Sequence, residues 1–181
     1  MAWPGDFGYA DLLDQKQVPK YDLRFEVLGT LDEVSSVLGV VRPLTTREET
    51  KTLIVQIQRD LCWMMSELAA TTDGARPCIY ITPERSDWLA DVMEELRAKV
   101  SLDPHFIVPG DSASGGFLQL ARAVTRRAER LVTLLNHQGG LHNGQIIAYL
   151  NRLSAVLYVL GRYEDQMAGV QKATLARPPR E

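Results

Sequence analysis

The sequence predicts an all-α protein, a five-helix bundle with an irregular N-terminal loop. Three observations carry that reading. Apolar residues recur at three- and four-residue steps through five long segments. Clusters of Pro and Gly separate those segments. No segment makes a convincing strand. The 181 residues suit one domain, read as an N-terminal segment 1–23, a helical bundle 24–170 and a loose tail 171–181.

Each element follows from local signals. Residues 1–23 contain Pro4, Gly5, Gly8 and Pro19 and hold no apolar period. A loop that long in a compact domain is often functional; the plain alternative is a frayed terminus. The first helix starts near Leu23, buries Val27, Leu28, Leu31, Val34, Val37 and Leu38, and breaks at Pro43. Thr46 and Glu49 have capping-box spacing and open a second helix that runs to about Ala70. Thr82-Pro83 reads as an N-cap followed by a first-turn proline, so a third helix reaches about Val100. A fourth spans roughly Gly116 to Asn136 and ends at Gly139-Gly140, and a fifth runs from about Asn143 to Ala168. Gly161 inside that helix costs about 1 kcal/mol relative to alanine, and close packing would explain it. The tail from Lys172, with Pro178 and Pro179, reads as loose.

Composition removes several classes of function. Lysine plus arginine total 20 and aspartate plus glutamate 23, a net charge of −3. An acidic chain does not bind nucleic acid by bulk charge. Cys62 and Cys78 make neither a disulfide framework nor a zinc pattern, which suits a cytoplasmic protein. No apolar run approaches a bilayer span, and the first residues lack the character of a signal peptide.

Against this acidic background four arginines fall between Arg122 and Arg130. On a helix, Arg122, Arg126, Glu129 and Arg130 share a face, while Arg127 points elsewhere. Guanidinium is suited to two-point contact with phosphate. The segment is therefore either an anion clamp or a solvated face with Glu129 as intrahelical partner. Gly5-Asp6-Phe7-Gly8 could bring backbone amides to a phosphate, but alone reads as an ordinary turn. Phe106, ahead of Pro109-Gly110, reads as a core plug, and His105 as solvated. Asn151-Arg152-Leu153-Ser154 interrupts an apolar helix and either ties helices together or meets a ligand. His137 and His142 flank a turn, and no metal site is expected from them.

Taken together, these segments resemble the ATP:cob(I)alamin adenosyltransferases of the propanediol-utilisation type. The resemblance rests on Gly5-Asp6-x-Gly8, Val18-x-Lys20-x-Asp22, Glu26-x-x-Gly29-Thr30-x-Asp32-Glu33-x-x-Ser36-x-x-Gly39 and Phe106-x-x-Pro109-Gly110. It continues through Ala121-Arg122-x-Val124-x-Arg126-Arg127-Ala128-Glu129-Arg130 and Leu150-Asn151-Arg152-Leu153-Ser154. It implies a five-helix homotrimer with sites between subunits. It also implies transfer of the 5′-deoxyadenosyl group of ATP to cob(I)alamin, with Mg²⁺ and arginines neutralising the triphosphate. By the same carry-over Gly5, Asp6, Gly8, Lys20, Arg126, Arg127, Glu129, Arg130 and Asn151 surround ATP. Asp32 pairs with Arg122 across the subunit contact, and Phe106 sits under the corrin ring. The catalytic set is then Arg122, Arg126, Asp32 and Phe106. An adenosylcobalamin-dependent mutase or dehydratase would be the downstream partner.

This chain departs from the family pattern in places. Ala2-Trp3-Pro4 stands where Thr-Lys-Thr is usual, Gln17 for an arginine, Tyr21 for an aspartate, Gln119 for a histidine and Ala155 for an aspartate. Asp111 replaces a small residue beside the Pro-Gly turn. The alternative that these changes raise is a relative without ATP turnover, acting as a corrinoid, tetrapyrrole or anion carrier, a sensor or an assembly protein.

Overall fold

A computed structural model describes residues 2–177. Its helices are α1 (Leu23–Leu44), α2 (Glu48–Leu68), α3 (Pro83–Lys99), α4 (Ala113–His137) and α5 (Gln145–Met167). The N-terminal loop adds two short strands, β1 (Tyr9–Ala10) and β2 (Val18–Pro19). They pair antiparallel, with Tyr9 opposite Pro19 and Ala10 opposite Val18. The expected five helices are present, and the strand pair is an addition within the loop.

Helix ends follow the available caps. Asp22 caps α1 by accepting the Arg24 amide at 2.8 Å, and Pro43 lies inside the last turn instead of breaking the helix before it. The expected Thr46 cap is not made. Arg47 is the N-cap residue of α2, and the hydroxyl of Thr45 takes the Arg47 amide at 3.1 Å. Helix α4 begins three residues before Gly116, because the Ser112 hydroxyl caps it by accepting the Gly115 amide at 3.0 Å.

Helix α4 packs on α5 and α1, α5 on α3, and α1 on α2. The inward stripe of α4 is Leu118, Ala121, Val124, Ala128, Val132 and Leu135, steps of three and four that leave the arginines outside. Buried polar groups tie the helices together. The fully buried Asp60 of α2 accepts from Arg85 at 2.6 Å, the Tyr149 hydroxyl at 2.7 Å and Gln56 at 3.1 Å. Burial, with Asp60 beside it, pushes the Tyr149 hydroxyl well above its ordinary pKa.

The bundle has two distinct ends. At one, Arg24 donates to the carbonyls of Leu68 at 2.9 Å, Ala70 at 3.4 Å and Gly140 at 2.6 Å. The N-terminal loop docks there, with Asp14 accepting the amides of Thr71 and Thr72, each at 2.9 Å. At the other end the tail departs from expectation. It was read as loose, yet the Val108 amide donates to the Thr174 carbonyl at 2.7 Å and the Ala176 amide to the Phe106 carbonyl at 2.8 Å. Exposed backbone finds a partner strand here, which periodicity does not reveal. Pro178, Pro179 and the last two residues lie outside the described part.

Candidate active site

The arginine face of α4 opens into a hollow of about 410 Å³ lined by Arg126, Glu129, Arg130, Thr133 and, from α5, Asn151. Among the described residues no carboxylate lies within ion-pair distance of Arg126 or Arg130, and Glu129 pairs with neither. The intrahelical pairing with Glu129 is therefore not made, while Arg126 and Arg130 are both exposed on this face. Two unpaired guanidiniums one turn apart offer a receptive site for an anion. Thr133 was missed by sequence reasoning, although it stands seven residues after Arg126, on the same face. Its hydroxyl donates to the Glu129 carbonyl at 2.8 Å, so the oxygen's lone pairs stay available.

Arg127 does not join this hollow. It points to α1 and pairs with Glu33, as the roughly 100° offset from Arg126 requires. Asp32 is exposed on α1 and meets no partner in its own chain among the described residues. The Asn151–Ser154 segment divides its roles. Asn151 faces the hollow, Arg152 ties α5 to α3 through Asp87 at 2.8 Å, and the buried Ser154 donates to the Asn151 carbonyl at 2.9 Å.

A second hollow, also about 410 Å³, is bordered by Phe106, Pro109, Gln119, Arg122 and Tyr158. Phe106 is 91% exposed, so the core-plug reading is wrong: the loop holds its side chain out over the hollow. Arg122 is steadied by Gln119, whose Oε1 accepts the Arg122 Nε–H at 2.8 Å while its own amide donates to the Tyr158 carbonyl at 3.1 Å. A Cβ at Gly161 would stand 2.7 Å from the Gln119 amide nitrogen, which is the close packing that justifies a glycine there. His105 is exposed, its Nδ1 2.9 Å from Asp103. Hydrogen bonds from the His105 amide and ring hold the Asp103 carboxyl below the usual range.

The N-terminal candidates form a third group. Trp3-Pro4-Gly5-Asp6 closes a turn, the Asp6 amide donating to the Trp3 carbonyl at 3.1 Å with Gly5 at φ +93°. That is the type II pattern, which Pro then Gly favour. The Asp6 carboxylate accepts the Trp3 amide at 2.7 Å. Gly8 follows at φ +79°, and the Lys20 ammonium donates to the Gly5 carbonyl at 2.9 Å. Gly5, Asp6, Gly8 and Lys20 are thus clustered, but none lines either hollow. Arg122 to Arg130 spans about 12 Å along α4, so the two hollows are neighbours.

No cluster of three His, Cys, Asp or Glu suited to a metal occurs among the described residues. His142 contacts the Thr71 carbonyl at 3.0 Å. Cys62 and Cys78 are free and exposed. No helix among the described residues is long and apolar enough to cross a membrane.

The fold and these hollows define a helical bundle with an anion-receptive face on its central helix. Residues 2–164 match the family model described as cobalamin adenosyltransferase, and the chain belongs to that family. It is 34% identical over 165 residues to the corrinoid adenosyltransferase PduO of Salmonella typhimurium, covering 91% of this chain and 49% of that protein. It therefore spans about half the length of that relative. The human corrinoid adenosyltransferase MMAB is 32% identical over 179 residues, covering 93% and 69%. The backbone superposes with a TM-score of 0.88 and 25% identity on a variant PduO-type ATP:corrinoid adenosyltransferase from Lactobacillus reuteri complexed with cobalamin and ATP. That match covers 96% of this chain and 97% of the other.

Proposed function

We propose that this protein is a corrinoid adenosyltransferase that moves the 5′-deoxyadenosyl group of ATP to cob(I)alamin and releases triphosphate. The observation that carries the reading is the pair of unpartnered guanidiniums, Arg126 and Arg130, beside Asn151. They suit the leaving triphosphate, whose charge grows as the C5′–O bond breaks. The cobalt supplies the electron pair for the new Co–C bond, and the triphosphate departs with the electrons of the broken one. Arg122 and the exposed Phe106 face the corrin side, where Phe106 excludes water and a lower ligand. Among the described residues, Glu129 is the one carboxylate lining the arginine hollow. Mg²⁺ commonly takes one or two carboxylates plus substrate phosphates, so this donor set fits an ion carried on ATP, adding to charge neutralisation when bound.

Gly5, Asp6, Gly8 and Lys20 complete the ATP site from a neighbouring copy in a homotrimer, a reading supported by their lining neither the arginine hollow nor the Phe106 hollow. Asp32 pairs across the same contact with Arg122. Arg127, engaged with Glu33, braces α4 to α1. The product would pass to an adenosylcobalamin-dependent mutase or dehydratase, and the two free cysteines agree with a cytoplasmic setting.

Mixing ATP with reduced cobalamin should yield triphosphate and the absorbance of a new Co–C bond. In a binding titration, Arg126→Ala should weaken ATP by roughly ten- to a hundredfold, the worth of one charged contact. An unchanged ATP affinity would remove the clamp. Corrinoid binding without any ATP binding would favour the non-enzymatic carrier.

A further inference from the structure

Phe106 gains little fixing from side-chain packing, being 91% exposed. Its position is set through the backbone on either side of it. The Phe106 carbonyl accepts the Ala176 amide at 2.8 Å, the Val108 amide donates to Thr174 at 2.7 Å, and Ile107 bridges Leu175 between them. The tail that supplies these bonds is itself largely exposed at residues 174–176, so something must hold it.

That something is Asp111. Its Oδ1 accepts the Thr174 hydroxyl at 2.6 Å and its Oδ2 the Thr174 amide at 3.0 Å. These two bonds hold the Asp111 carboxyl below its ordinary range. Asp111 is anchored in turn by Arg162, 3% exposed, whose guanidinium lies 3.5 Å from it. Arg162 is held by Asp165 at 2.5 Å, and Asp165 accepts the Ser112 hydroxyl at 2.6 Å. A rigid chain therefore runs from the interior of α5, through Asp111, to the tail. Gly110, at φ +120°, makes the turn that brings Asp111 there.

We infer that Asp111 is a positioning residue for the corrin side of the site: it latches residues 174–176 against the Phe106 loop and so fixes where Phe106 stands. The role in corrinoid binding rests on the adenosyltransferase reading. The latch itself does not.

The test compares the full chain with Asp111→Ala and Thr174→Val, the latter keeping the backbone bond. Arg162 and Asp165 stay intact, because removing either strands a buried charge. Amide hydrogen exchange at Val108 and Ala176 should quicken at least about tenfold in Asp111→Ala, as expected for loss of a charged contact, and less in Thr174→Val. Unchanged exchange there would overturn the latch, whether or not the protein proves to be an enzyme. With an active wild type, the KM for cob(I)alamin should rise about tenfold in Asp111→Ala while the KM for ATP holds. Equal changes in both KM values, or none, would overturn the positioning role. An inactive wild type would instead sink the adenosyltransferase reading, with the exchange result still deciding the latch.

Discussion

One carboxylate, Asp14, fastens the N-terminal loop to the bundle beside the Leu13 amide, which donates to the Ala69 carbonyl at 3.1 Å. Asp14 takes two backbone amides and the Thr72 hydroxyl, the last at 2.7 Å. Those hydrogen bonds, Thr72 foremost, lower its pKa from 3.8 to about 2. A folded-state value below the unfolded one contributes stability that is fully present above the unfolded pKa. It is lost as pH falls through the folded value. The melting temperature of Asp14→Ala should lie below that of the wild type at neutral pH, and the gap should close between pH 3.8 and about 2. A gap that persists undiminished at the acidic limit would contradict this. Nothing in the sequence marked Asp14, because its partners, two amides and the Thr72 hydroxyl, lie 57 and 58 residues away. Arg126 and Arg130 were legible, since i,i+4 spacing alone places them together. Phe106 was misread from its neighbours: an aromatic before β-branched residues looks like core until the loop's course is known, and only the family resemblance corrected it.

Helices were read well where the apolar period is long, and less well at their ends. The period is a property of many residues at once, whereas an end depends on which hydroxyl finds an amide. Thr45 rather than Thr46 and Ser112 before Gly116 are both cases of that choice. The first turn of α4 also shows how tightly an end can be specified. A Cβ at Gly115 would lie 2.0 Å from Asp165 Oδ1 and 2.8 Å from the Ser112 hydroxyl. Asp165 cannot swing aside freely, because Arg162 and Ser112 hold both of its oxygens. Gly115→Ala should therefore destabilise the protein by about 1–3 kcal/mol despite alanine's better helix propensity. Urea unfolding reads this directly, and a stabilised variant would show that Asp165 relaxes easily.

For the molecule as a whole, the net charge of −3 averages over a cationic strip on α4 and acidic surfaces elsewhere. The sequence revealed the strip but not how its parts are divided. The two hollows share no lining residue with each other or with the loop group, and the proposed homotrimer would bring all three to one site. Lys20→Ala and Arg126→Ala should each lose activity as pure assemblies. Co-refolded in equal amounts, they should recover about a quarter of wild-type activity if each site takes its loop and its arginine helix from different chains of a closed ring. No recovery would mean that each chain builds its own site.

Arg24 bears on how one end of the bundle moves. Its one guanidinium gathers the carbonyl of Leu68 at the end of α2, that of Ala70 just past it, and that of Gly140 just beyond α4. Helix ends ordinarily fray one at a time. Here two of them share a donor, so opening either exposes the other, and their breathing becomes correlated. The N-terminal loop is moored to the same place through Asp14. The loop thus shares its mooring with both helix ends, so amide exchange at Thr71 and Thr72 should rise together with exchange at the end of α4 in Arg24→Ala.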